Sequence, residues 1–127
     1  MIVVATLTVL GCSVVAQSQT VQELLQREHD QQQQQLDRIE KLAKPLAECV
    51  KKQAHELVSS AEKADVVARA AVGLCSKEEA AYRAALLQLA IILTGFDADT
   101  RAQRMHQQLV EMALTIIVNE RQHLPHP

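Results

Sequence analysis

LDRIEKLAKPLAECVKKQAHEL, residues 36–57, decides the fold. Leu36, Ile39, Ala43, Leu46, Val50, Ala54 and Leu57 recur at steps of three and four, which sets them along one face of a helix. The intervening Lys, Glu and Gln belong to the opposite, solvated face. A strand would alternate every second residue, and this stretch does not. Pro45 lacks the N–H that an interior helical turn uses, so the pattern predicts a kink or restart there.

Downstream, the same period returns three times between local stop and start signals. Ser59-Ser60-Ala61-Glu62 has the form of a capping box, and Val66, Val67, Ala70, Ala71 and Leu74 follow it as a second helix. Gly73 loosens the last turn of that helix before Ser76-Lys77-Glu78-Glu79 repeats the box and opens a third. Residues 84–93 are apolar almost all round, which predicts the central, most buried element. Gly95 supplies a left-handed stop, and Asp97 or Asp99 caps a fourth helix. Met105, Leu109, Met112, Ala113, Ile116 and Ile117 form its stripe, and Pro125 and Pro127 end it. With 127 residues the chain fits one core, and short connections favour antiparallel neighbours. The expected fold is all-α, an antiparallel bundle of about four helices over residues 36–122 with a tail at 123–127.

Upstream of residue 36 the composition changes twice. Residues 17–35 are polar, with glutamine at 31–35, and read as a helical extension beginning near Val21. A sparse stripe of Val21, Leu25, Leu36 and Ile39 marks it as a candidate interaction face for a protein partner or a second copy. Residues 1–16 hold no charged side chain, and the run is shorter than the roughly 20 residues a membrane-spanning helix needs. It suits the core of a signal peptide, with Val14 and Ala16 as the small residues before a cleavage that leaves Gln17 first. The mature chain is then periplasmic or secreted, without a transmembrane span. An alternative reading takes Val9-Leu10-Gly11-Cys12 as a lipobox and anchors the protein through a lipid on Cys12.

In an exported helical hairpin, Cys49 stands about three turns before the turn at Ser59-Ser60 and Cys75 about four turns after it. Their heights match, and a disulfide between them is the expected use. Together with Ala54, Leu57, Val67-Ala68, Ala70-Ala71 and Ala80-Ala81-Tyr82, the two cysteines form a pattern that resembles small exported proteins of proteobacteria. The resemblance covers the middle third of the chain. It implies the compartment and the bridge, and no activity or site residue comes with it.

Several chemistries lose their usual signatures. A net charge of −2 gathers no strong field for nucleic acid, and Tyr82 and Phe96 are the only aromatic residues on which a base or flat cofactor could stack. Gly11, Gly73 and Gly95 stand far apart, so no glycine-rich loop can cradle a phosphate. Of five histidines, only His123 and His126 are close, in a proline-broken tail. Asp97-Ala98-Asp99 lacks the glycine and the distal glutamate of a calcium loop. Neither Cys49 nor Cys75 belongs to a Cys-x-x-Cys motif, and no hydrolase motif occurs. The sequence therefore predicts a non-catalytic protein without cofactor or metal. A second expectation places a small hydrophobic ligand between the third and fourth helices, beside Met105 and Met112.

Overall fold

The computed structural model describes the backbone of residues 12–125 and the side chains of residues 20–125. Residues 1–11, the side chains of residues 12–19, and His126 and Pro127 lie outside the described residues, and with them the expected signal peptide of 1–16, its cleavage between Ala16 and Gln17, and the lipid site at Cys12. Four helices follow one another: α1 Cys12–Leu57, α2 Ala64–Gly73, α3 Ser76–Ile92 and α4 Ala98–His123. There is no strand among the described residues.

Four helices make three rods. Cys49 of α1 is bonded to Cys75 just before α3, and Arg38 of α1 donates to the Gln88 amide oxygen of α3 at 2.7 Å. Moving back along α1 thus moves forward along α3, and α2 covers the remaining distance from the end of α1 to Cys75. α2 and α3 are consecutive halves of one rod antiparallel to α1. Their junction is only Leu74-Cys75: Leu74 keeps helical dihedrals, whereas Cys75 departs from them at φ −100° and ψ 25°. The Cys75 N–H reaches Val72 three residues back at 2.9 Å, a tightened turn that bends the rod without reversing it. α4 then returns parallel to α1, with His106 beside Glu79 near its start and Arg121 beside Val58 and Ser60 near its end.

The sealed core belongs to α1, α2 and α4 as much as to α3. Leu46, Val50, Ala54, Val72, Ala71, Cys75 and Ile117 are completely buried, joined by Leu86 and Leu109. Many buried positions are alanine, including Ala54, Ala68, Ala71, Ala85, Ala98, Ala102 and Ala113. Such side chains let backbones approach closely, although each removes little apolar area from water. The expectation that α3 is the most buried element is not met. Tyr82, Ala85, Leu86 and Leu89 face inward, whereas Leu87 and Ile91 are exposed. A helix at the side of three rods has an outer face whatever its sequence, and α3 leaves apolar residues on it.

Two local expectations are also corrected. α1 starts well before Val21 and does not restart at Pro45, which lies inside the one helix. Pro45, Lys41 and Lys44 lie on its exposed side, where water can satisfy the carbonyl that lost its partner. The serine boxes do not cap. Ser60 Oγ accepts from the Glu62 N–H at 3.3 Å in a local turn, while α2 begins at Ala64 after Lys63 and α3 begins after Cys75, neither with a side-chain cap. Connectivity explains the second case, because α3 continues the preceding turn and the Glu79 N–H already reaches the Cys75 carbonyl at 3.0 Å.

The other end signals operate as read. Gly95 takes φ +80°, and Asp97 caps α4 by accepting from the Thr100 N–H at 3.0 Å and from its hydroxyl at 2.6 Å. Arg101 stacks over Phe96 at 4.9 Å from the ring centre, fastening the turn to the same helix start. At the opposite end, Arg121 donates to the carbonyls of Val58 at 3.0 Å and Ser60 at 2.7 Å, fastening the turn that follows α1 to the end of α4.

The Cys49–Cys75 bridge spans 26 residues, and its Cα atoms are 6.0 Å apart. Closing a loop of that size stabilises the folded state by about 3.5 kcal/mol in the chain-entropy account. The Cys49→Ala, Cys75→Ala double variant should lose about 3 kcal/mol in urea unfolding, and reductant should move the parent but not the variant.

Asp97 predicts a pH effect. Its hydrogen bonds from the Thr100 side chain and then the Thr100 backbone hold its carboxyl below the ordinary aspartate value. A lowered folded pKa means that the contribution is full above the unfolded value near 4 and is lost as pH falls through the lower folded one. NMR titration of the Asp97 carboxyl should show this depressed midpoint, and Thr100→Val should raise it.

Candidate interaction surface

α1 outgrows the bundle. Ile92, the last residue of α3, lies one turn beyond Gln88, so α3 ends roughly level with residue 34 of α1. From residue 20 to residue 31 every α1 side chain is exposed, a projection of about 20 Å when the next turn is included.

The face on this projection is the core seam carried outward. At 100° per residue, Val21, Leu25, Gln32, Ile39, Leu46 and Val50 fall within one narrow sector of α1. Leu46 and Val50 are sealed in the core and Ile39 packs against it half-buried. Farther out, Leu36 is 45% exposed, Leu25 60% and Val21 54%. The structure therefore divides the four expected residues. Ile39 belongs to the bundle, and Val21, Leu25 and Leu36 to the uncovered seam. Leu24, 59% exposed and three residues after Val21, adds to that surface. The sequence reading missed it by following steps of four, although a step of three carries the same signal.

Polar residues divide the seam. Glu28 and Gln32 lie between the two apolar ends, and Gln35 marks the bundle's mouth. The Gln35 side-chain oxygen is shielded from solvent without a hydrogen-bond partner. On the outer side, Gln26 donates to Asp30 and Gln33 to Asp37, each at 2.9 Å, as pairs one turn apart. These bonds keep the polar face occupied with itself and leave the apolar face as the distinctive one.

A second unpartnered stripe lies on α3. Ala80, Ala84, Leu87 and Ile91 share one exposed face, with Ile91 85% accessible. The all-round apolarity of residues 84–93 was its signal, and the sequence reading assigned it to burial instead.

The remaining polar clusters tie helices together. His106 Nδ1 lies 2.7 Å from Glu79 Oε1 across α4 and α3, and His55 contacts Glu120 across α1 and α4. Arg83, Gln103 and Gln107 join the first pair around a surface hollow of about 480 Å³. No group of three His, Cys, Asp or Glu side chains suited to a metal occurs among the described residues. Met105 lines a hollow of about 150 Å³ with Tyr82, Arg101, Arg104 and Gln108. Burial pushes the Tyr82 phenol above its ordinary pKa, partly offset by Arg101. That hollow is smaller than the roughly 300 Å³ at which ligand pockets begin, and its rim carries two guanidinium groups. Met112 packs against the core instead.

The fold and surface together define an all-helical, disulfide-linked bundle with one projecting helix. No protein-family model, curated protein or solved structure matches the chain. No helix among the described residues is long and apolar enough to cross a membrane.

Proposed function

We propose that the chain is an exported, non-catalytic protein that binds another protein through the projecting half of its first helix. The observation that carries this reading is the continuity of the core seam beyond the bundle, where Val21, Leu24, Leu25 and Leu36 are left as open as a lone helix leaves them. A helix of this length gains little stability from its own hydrogen bonds in water, so a partner along its apolar side is what its sequence equips it to use. Nothing in the polar hollows competes with that surface for apolar area.

Export is supported by two independent features. The uncharged opening of residues 1–16 ends in Val14 and Ala16 with a cleavage point before Gln17, and the Cys49–Cys75 bridge suits an oxidising compartment. The resemblance to small exported proteobacterial proteins agrees with both and favours the periplasm or the medium as location.

Two measurements test the reading. Intact mass of the chain recovered from the periplasm of an expressing bacterium should begin at Gln17, with the thiols of Cys49 and Cys75 blocked until reduction. A full-length mass with free thiols would overturn export, and a lipid mass on Cys12 would replace it with membrane anchoring. For the interaction, chemical cross-links to a partner should map to residues 20–36. Deleting residues 20–35 should abolish those links while shifting the unfolding transition of the bundle little, and persistence of the links without the segment would refute the assignment.

A further inference from the structure

We infer that the hollow between α3 and α4 around Arg83 and His106 is a binding site for an oxyanion, a phosphoryl or carboxylate group carried by a small molecule. The inference is independent of the interaction reading, since it uses none of the α1 seam.

It begins with an ion pair that is not made. Glu79 and Arg83 stand four residues apart on α3, in the order that favours pairing along a helix. Asp65 and Arg69 on α2, with the same spacing and order, make that pair at 2.7 Å. Glu79 instead accepts from His106 Nδ1 of α4, also at 2.7 Å. Arg83 is left exposed, with no ion pair or hydrogen bond among the described residues. The contact between the two helices thus engages the carboxylate and leaves a guanidinium with its donors uncommitted.

The groups around that guanidinium are donors as well. The hollow of about 480 Å³ is lined by Glu79 and Arg83 from α3 and by Gln103, His106 and Gln107 from one stretch of α4. Gln103 and Gln107 lie one turn apart, and each has a primary amide with two hydrogens to donate. With Nδ1 turned to Glu79, His106 keeps Nε2 for a ligand, and the doubly protonated ring donates there while Glu79 balances its charge. Arg83 then remains as the one charge lining the hollow without a counterpart. No apolar side chain lines it, so a hydrophobic ligand gains little there. A metal cation meets the guanidinium's repulsion and finds only one carboxylate and one imidazole to hold it.

A second hollow, of about 210 Å³, shares Glu79 and Arg83 with the first and adds the Ser76 hydroxyl. The two exceed many times the roughly 30 Å³ that one water occupies, which leaves room for an oxyanion and the molecule that carries it. Recognition at such a surface rests on charge-assisted hydrogen bonds more than on burial.

The test is an NMR titration of the disulfide-linked chain with inorganic phosphate and, separately, acetate, each replacing chloride at constant ionic strength. At least one anion should move the signals of the His106 ring and the Gln103 and Gln107 side-chain amides saturably. The tighter of the two names the group, phosphoryl or carboxylate. Arg83→Gln should weaken that binding about tenfold, as loss of a charged donor does, with the thermal transition of the bundle retained. Arg83→Lys should recover part of it, and Arg69→Gln, which removes the arginine already paired on α2, should leave it unchanged. Gln107→Ala reports on the same site from α4 and should weaken binding even if an Arg83 variant failed to fold. Signals that neither anion moves, shifts that do not saturate, or binding by Arg83→Gln equal to the parent's would overturn the inference.

Discussion

The contact on which the rest of the architecture depends is the one between Cys49 and the break at Cys75. Three demands meet at this residue. Cys75 ends the tightened turn that bends the second rod, its side chain is completely sealed in the core, and its sulfur ties that bend to the C-terminal part of α1. Without the link, α2 and α3 would meet through only Leu74-Cys75, and ten residues of α2 would have to find their place on α1 and α4 by packing mostly alanine and valine. The bond removes that search from the unfolded chain and fixes the height at which each half of the rod meets α1.

With that height fixed, α4 can close the bundle. It lies against α1, α2 and α3 and is held at both ends by polar contacts: Asp97 and Arg101 gather its start, and Arg121 grips the carbonyls at the end of α1. Two histidine–glutamate contacts lie between, His106 with Glu79 and His55 with Glu120. These groups are exposed or half-exposed, so their role is to choose the angular setting of α4 more than to add stability. The apolar interior below them supplies the cohesion, and its small side chains require that setting to be right.

The helical class, the four elements and the pairing of Cys49 with Cys75 were legible in the sequence because each rests on spacing along the chain. Helical period, Gly95 and Asp97 are local statements, and local physics decides them. The misreadings share a cause as well. Ser59-Ser60 and Ser76 carry capping chemistry, yet whether a serine caps depends on where the chain enters the helix, and at Ser76 it enters directly from a preceding turn. Residues 84–93 look central because they are apolar all round, but how many rods surround a helix is a property of topology. The uncovered seam of α1 was half legible. Val21, Leu25 and Leu36 stood out by period, whereas the point at which cover stops depends on how far α3 reaches, and no residue in α1 records that.

The length of α1 has a mechanical meaning. Its 46 residues form a single rod of about 70 Å, and the only proline in it interrupts neither the helix nor the seam. Roughly the last 33 Å, from Leu36 to Leu57, are clamped between the other helices and bolted at Cys49, while residues 21–31 lie exposed beyond them. The rod is therefore a lever with a fixed fulcrum. A displacement at Val21 is passed to the bundle along continuous helical turns, with Cys49 as the fixed point.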